Sequence, residues 1–267
     1  ARHWGWLSSC ISVKLRRSAC WPTGNVITLV LEHAQFGWGG AMEHQTISPM
    51  GSFGTGITMH ELGHQWFGDK ITCVDWHHIW LNEGFATYCE AAYYDETQGF
   101  FAYQNSMQNE MSQARTASGS VYVEDISSVG SIFNNARSYA KGSVILHMLR
   151  GIVGKDTFYD ILKRYVSDIH LGYDVATTED FQAIAEEVSG LDLEFFFQQW
   201  IYGERYPKYT VIWGSTQNAE SKYDVTVSIT QQSNPRPDYF TMPVELKFAG
   251  VTDTTITVWN DEATQKF

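Results

Sequence analysis

The segment "TMHELGHQW", residues 58–66, sets His60 and His64 four apart, with Glu61 directly behind the first. On an α-helix this spacing stacks the two imidazoles on one face, so that they converge on a single point. Glu61 is offset by roughly 100° and falls beside that point. The flanks "ITM" and "QWF" are apolar, so the helix, expected over about 57–68, should be buried. Three ionisable groups on a buried face are costly unless something pairs with them. The fold must therefore bring a complementary group to this helix from elsewhere in the chain.

A zinc ion suits the pattern. A catalytic zinc site uses three N or O protein ligands and keeps one position open. The third ligand is expected to be an acid from another element, and Glu83 in "WLNEGFATY" follows His64 after 18 intervening residues. That gap lets one helix end, a loop turn and a second helix present its first turn. His60, His64 and Glu83 are thus the candidate ligands of one Zn2+, with Glu61 as general base for a metal-bound water. A bare HExxH also arises by chance with its side chains simply solvated; the apolar flanks and Glu83 weigh against that. His77 and His78 are adjacent in an expected loop and are read as capping or lining the rim. His33, His44, His147 and His170 lack ligand spacing, while Glu90 is compatible with support of a ligand or with plain solvation.

The rest of the chain divides by period. Residues 1–31 hold Arg2, Lys14, Arg16 and Arg17 and no acid; the following 236 residues carry 14 basic against 30 acidic side chains. This first segment is left unassigned, as a linker, a scar or the remnant of an upstream β domain. Its run "VITLVL" reads as a strand. Residues 32–206 are expected to form one mainly helical domain. "KDTFYDILKRYVSDI" has Asp156 as its expected N-cap, and "TTEDFQAIAEEVSG" has a capping Thr and a terminating Gly190. Past Pro207 the period becomes two, with strands expected at "KYTVIW", "YDVTVSIT", "MPVELKF" and "TTITVW" and no evident closing strand. Residues 207–267 are therefore expected to form a small β-sandwich module.

Composition narrows the partners. A formal charge of −12 excludes a basic nucleic-acid surface. No apolar run approaches the roughly 18 residues of a membrane span, so a soluble protein is expected, cytoplasmic or periplasmic/secreted. Cys10, Cys20, Cys73 and Cys89 contain no C-x-x-C pair, and a Cys73–Cys89 disulfide and buried free thiols are equally consistent.

"HELGHQWFGD" followed by "WLNEGFATY" resembles the aminopeptidase N family of zinc metallopeptidases, gluzincins that include alanyl and leucyl aminopeptidases and the leukotriene hydrolase. "GGAMEHQT" at 39–46 is similar to the family's Gly-x-Met-Glu-Asn signature: Gly40, Ala41, Met42 and Glu43 match, and His44 replaces the asparagine. Tyr139-Ala140-Lys141-Gly142 matches the family's Tyr-x-Lys-Gly motif. The resemblance covers roughly residues 34–212. It implies an α+β fold, with a thermolysin-like zinc peptidase domain followed by a β-sandwich module. It also implies removal of single residues from peptides with a free N-terminus. Tyr139 would donate to the oxyanion, and Glu43, with Gly40, Ala41 and Met42, would hold the substrate by its protonated α-amine. A thermolysin-like endopeptidase shares the HExxH logic but has no use for Glu43. A leukotriene-type epoxide hydrolase and an inactive peptide-binding fragment are also compatible with these motifs. Compared with the family, a β-rich domain before and a helical domain after are missing, so an open cleft and self-association through uncovered surface are expected.

Overall fold

The structure is a computed structural model that describes residues 32–37, 39–232, 236–250 and 253–267. It also gives the backbone of two short antiparallel strands, β1 (Ala19–Cys20) and β2 (Val26–Ile27). The remainder of the segment 1–31, including the rest of the strand expected at 26–31, lies outside the described residues. Two compact units account for the chain: residues up to Ala117 with Tyr122–Leu191, and Ser118–Val121 with Asp192–Phe267.

In the first unit, β3 (Glu32–Gln35) pairs in parallel with β4 (Ile47–Met50). The segment between them folds back along β4. Ala41 bridges Met50, the Met42 amide donates to Pro49 O at 3.1 Å, and the Gly51 amide donates to Gly40 O at 2.8 Å. Helix α1 (Thr55–His64) then carries the HExxH motif. It ends four residues before the expected boundary. The Gln65 and Trp66 amides close tighter turns onto Leu62 O and Gly63 O, and Gly68 adopts φ 137° to turn the chain into β5 (Ile71–Cys73).

β5 pairs in parallel with β6 (Asp174–Ala176). Strands of three residues are too short to show a period, so neither is announced by the sequence. A 3-10 turn, Trp76–His78, is capped by Asp75, which accepts from the His77 amide at 2.9 Å. It leads into α2 (Trp80–Gln98), and α3 (Phe100–Ala114) follows. The long connection after α3 contains a short helix, α4 (Val129–Ile132). A π-helical segment, Asn135–Lys141, runs on into α5 (Gly142–Val153). Helices α6 (Lys155–Val166) and α7 (Thr178–Ser189) complete the unit. The capping box of α7 joins Thr177 and Asp180, and Gly190 ends the helix in the left-handed region, as expected. Asp156, the expected N-cap of α6, instead lies in the first turn, and Gly154 occupies the cap.

Helix α2 is the hub of this unit. Phe85 packs 4.7 Å from Phe67 and 4.9 Å from Phe181, ring centre to ring centre. Farther along α2, the buried Asp95 pairs with Arg150 at 2.8 Å and with Lys155 at 2.9 Å, while Arg150 stacks over the Tyr103 ring at 4.3 Å. This cation–π and ion-pair cluster ties α2, α3, α5 and α6 together. Cys73 and Cys89 are free thiols. Among the described residues no helix is long and apolar enough to cross a membrane.

The second unit holds α8 (Glu194–Trp200), whose Trp200 packs 4.5 Å from Phe240 and whose Phe195 lies 6.1 Å from Trp259. These contacts place the helix with the strands, so the boundary expected at 206/207 falls inside this unit. The four expected strands are present as β7 (Tyr209–Gln217), β8 (Tyr223–Gln231), β9 (Met242–Phe248) and β10 (Thr254–Asn260). A further strand, β11 (Thr264–Lys266), pairs with β8, contrary to the expectation of no closing strand. Its three residues, "TQK", carry no alternation that would announce it. The sheets run β11-β8-β7 and β10-β9.

Gly84 follows the third candidate ligand and faces Gly142 on α5. A Cβ on Gly84 would stand 2.9 Å from Gly142 Cα, backbone against backbone, where no side chain can move aside. Gly84→Ala is expected to force the two helices apart and destabilise the protein by about 1–3 kcal/mol. Urea unfolding followed by circular dichroism measures this, and an unchanged midpoint would refute the close approach.

Candidate metal centre

Helix α1 presents His60 and His64 one turn apart, with ring centres 4.7 Å apart, and the first turn of α2 brings Glu83 against both. Glu83 Oε2 lies 3.3 Å from Nε2 of His60 and 3.3 Å from Nε2 of His64. One ligand atom from each of the three residues falls within 4.8 Å of the others. The entry of α2 is fixed by Asn82, whose side-chain oxygen accepts from the Cys73 amide at 3.0 Å and so ties the helix to β5.

The outer nitrogens of the imidazoles are engaged, which directs the inner ones. His64 Nδ1 lies 2.9 Å from Phe67 O, a carbonyl that can only accept. His60 Nδ1 lies 3.1 Å from Glu90 Oε1. When an ion replaces the Nε2 protons, donation outward from each Nδ1 would leave each Nε2 lone pair directed at the shared site. Gly68 also serves this arrangement: a Cβ there would come within 3.0 Å of His64 Nδ1.

The electrostatics favour positive charge at this point. Burial alone would raise the Glu83 carboxyl, but the hydrogen bonds from His60 and His64 outweigh it and hold the group at about 2. Burial alone would lower His60, yet its bonds to Glu83 and Glu90 prevail and raise it to about 10. A proton on His60 thus offsets the charge of a buried carboxylate. A divalent ion would do the same from the same position. Two imidazole nitrogens and one carboxylate oxygen are a donor set suited to zinc. His60, His64 and Glu83 are the residues that could hold it.

Glu61 is buried, and its Oε2 has no hydrogen-bond partner among the described residues. Its burial pushes the carboxyl up to about 7, against the lowering pull of His60 and His64, with Glu43 pushing further up. A buried acceptor that binds and releases a proton near neutrality is what a general base requires. One carboxylate oxygen of Glu43, one of Glu61 and a ring nitrogen of His64 also gather within 4.8 Å. Tyr139, on the π-helical segment, stacks against His60 at 5.9 Å and stands near Glu83. Burial, then the nearby carboxylates, keep its phenol protonated far above the ordinary range.

All these residues line one cleft of about 1090 Å³, together with Gly40, Ala41 and Met42 on the edge beside β4. Among the described residues no lysine or arginine lines it. His77 and His78, expected at the rim, are not among the lining residues. His78 instead bonds Thr178 Oγ1 at 2.9 Å, and His77 stacks on Tyr122 and bonds Val123 O. Glu90, for which the sequence allows either support or solvation, sits on His60. Glu110, on α3, also lines the cleft, and no motif or spacing marks it.

The chain is matched over residues 49–200 by the model of the peptidase family M1 domain. It is 34% identical over 161 residues to aminopeptidase M1-A of Oryza sativa subsp. japonica, covering 57% of this chain and 18% of that protein. It is 32% identical over 159 residues to aminopeptidase N of Lactobacillus helveticus, covering 57% of this chain and 19% of that protein. The chain thus spans about a fifth of the length of these curated relatives. Among solved structures, a mutant M1 zinc metallopeptidase of Deinococcus radiodurans bound to a Tyr-Ser-Ala substrate is similar at 28% identity and a TM-score of 0.58. That match covers 66% of this chain and 40% of the other. Legionella pneumophila aminopeptidase A, in complex with aspartic acid, shares the mixed helix-and-sheet fold at a TM-score of 0.72 and 20% identity, over 88% of this chain and 28% of its own. Matched across more than half its length by one family's model, the chain belongs to peptidase family M1.

Proposed function

We propose that this chain carries the catalytic centre of a zinc aminopeptidase that removes single residues from peptides with a free N-terminus. The observation that carries this reading is Glu43, whose carboxylate meets Glu61 and His64 beside the His60–His64–Glu83 cluster. An endopeptidase, which binds mid-chain, has no use for an anion at that place; an exopeptidase needs one for the substrate's α-ammonium. Membership of family M1 supports the same reading. The mainly helical part is read as a thermolysin-like domain and the strands of the second unit as a β-sandwich module.

His60, His64 and Glu83 would hold the ion, which when bound would polarise the scissile carbonyl and acidify a water molecule. Glu43 holds the substrate ammonium and sets the first peptide bond against Glu61. Glu61 Oε2 takes the proton of the attacking water and returns it to the leaving amine. Tyr139 keeps its proton and donates a hydrogen bond to the substrate oxygen as charge develops there. Gly40, Ala41 and Met42 line the substrate's path along the cleft edge.

One peptide supplied with a free and with an acetylated N-terminus tests the reading. The zinc-loaded protein is expected to shorten only the free form, one residue at a time by mass spectrometry, and a chelator should stop it. Internal cleavage of both forms would overturn the exopeptidase reading. Glu43→Gln should raise KM for the free peptide. Glu61→Gln should lower kcat by about 10²–10⁴ and Tyr139→Phe by about 10²–10³, each with zinc content unchanged. Zinc uptake itself has a proton signature. His60 is raised to about 10, so it carries a proton at neutral pH that it must release to ligate. Calorimetric titration in buffers of different ionisation enthalpy should show release of at least about one proton per zinc near pH 7. Release of none would mean that His60 is not a ligand.

A further inference from the structure

We propose that Glu110 selects a lysine or arginine side chain on the second residue of the peptide, immediately past the scissile bond. The proposal rests on the aminopeptidase reading and concerns the far end of the same cleft.

The cleft has two chemically distinct ends. Glu43 gathers with Glu61 and His64 at one. At the other, Glu90 holds His60 Nδ1, and Glu110 stands close enough to feel the charges of Glu90 and His60. A peptide whose ammonium sits at Glu43 must run past His64 and His60 toward this second end. Its first side chain stays near Gly40–Glu43, and its second approaches α3.

Glu90 is committed there. Its Oε1 meets His60, and its Oε2 lies tight against α1, only 2.8 Å from where a Cβ on Gly56 would be. Glu110 is uncommitted: it has no hydrogen bond or ion pair with any described residue. Its position is firm, because Tyr103 and Met107 on the same helix are buried and Asn135 ties Gln113, one turn on, to the π-helical segment. Among the described residues no lysine or arginine lines the cleft, and His60, already paired with Glu83 and Glu90, only partly offsets this carboxylate. Burial, then Glu90, raises it to about 7. A partly desolvated anion without a partner gains most from a cation that the substrate brings. The lysine or arginine stem would lie along the cleft wall, with its charge at Glu110.

The test compares free-N-terminus tetrapeptides that differ only in carrying lysine, norleucine or glutamate at the second residue, assayed at about pH 8.5, where a carboxyl raised to this extent is ionised. The zinc-loaded protein is expected to prefer lysine over norleucine by roughly five- to tenfold in kcat/KM, and to disfavour glutamate. Glu110→Gln should bring the lysine-to-norleucine ratio to about one while the norleucine peptide is still turned over, which separates lost selectivity from lost folding. A wild-type ratio near one would overturn the proposal. So would a lysine preference that survives Glu110→Gln, or one that follows lysine to the first residue instead. The affinities of the lysine and norleucine peptides for Glu61→Gln, measured by calorimetry with and without Glu110→Gln, give the same ratio without turnover. No hydrolysis with a Glu110-dependent lysine preference in binding would overturn the aminopeptidase reading and leave this selectivity standing. No preference in binding would overturn the selectivity itself.

Discussion

Glu83 Oε2 lies 3.3 Å from Nε2 of each of two histidines one turn apart on the neighbouring helix, and much of the first unit is arranged to keep it there. A buried carboxylate between two imidazoles is tolerable only if the charges cancel, whether by protons or by an ion. Cancellation requires α1 and α2 to lie close, and small residues at the contact permit it. Gly63 faces Ala86 across the pair, and Gly84 faces Gly142 on the far side of α2. The phenylalanines and tyrosines around Phe85 fill the space that this approach leaves.

Support outside the three converging side chains sets their orientation. Glu90 and the Phe67 carbonyl engage the outer imidazole nitrogens, and Asn82 fixes the start of α2. Such partners hold rings that would otherwise rotate about χ2, and they decide which nitrogen is free. Tyr139 is positioned differently, by a π-helical segment instead of a regular turn. Wide turns of this kind are frequent at functional sites. Here the segment brings Tyr139 against both Glu83 and the His60 ring.

The cleft built on this centre gathers several carboxylates, and they are in unlike states. Glu83 is held ionised by histidines, while Glu61 and Glu110 are pushed toward neutrality by burial. One residue type thus suits three proposed tasks, namely holding a cation, moving a proton and selecting a charged substrate, because each environment stabilises the charge to a different degree.

The sequence by itself determined the parts that depend on periodicity and short-range spacing. The four-residue step in "HELGH" is a helical repeat, and the structure brings His60, His64 and Glu83 within 4.8 Å of one another. Thr177 and Gly190 bound α7 as read, since caps are local chemistry, and the four alternating runs after Pro207 are strands. Tertiary structure alone decided what has no local signature. The strands of β5, β6 and β11 exist only because a partner strand lies alongside. His77 and His78 turn away from the cleft because Thr178 and Tyr122, about a hundred and about fifty residues along, offer them partners. Glu110 reaches the cleft because α3 packs back against α2, and no spacing in the sequence encodes a contact made across 27 residues from Glu83.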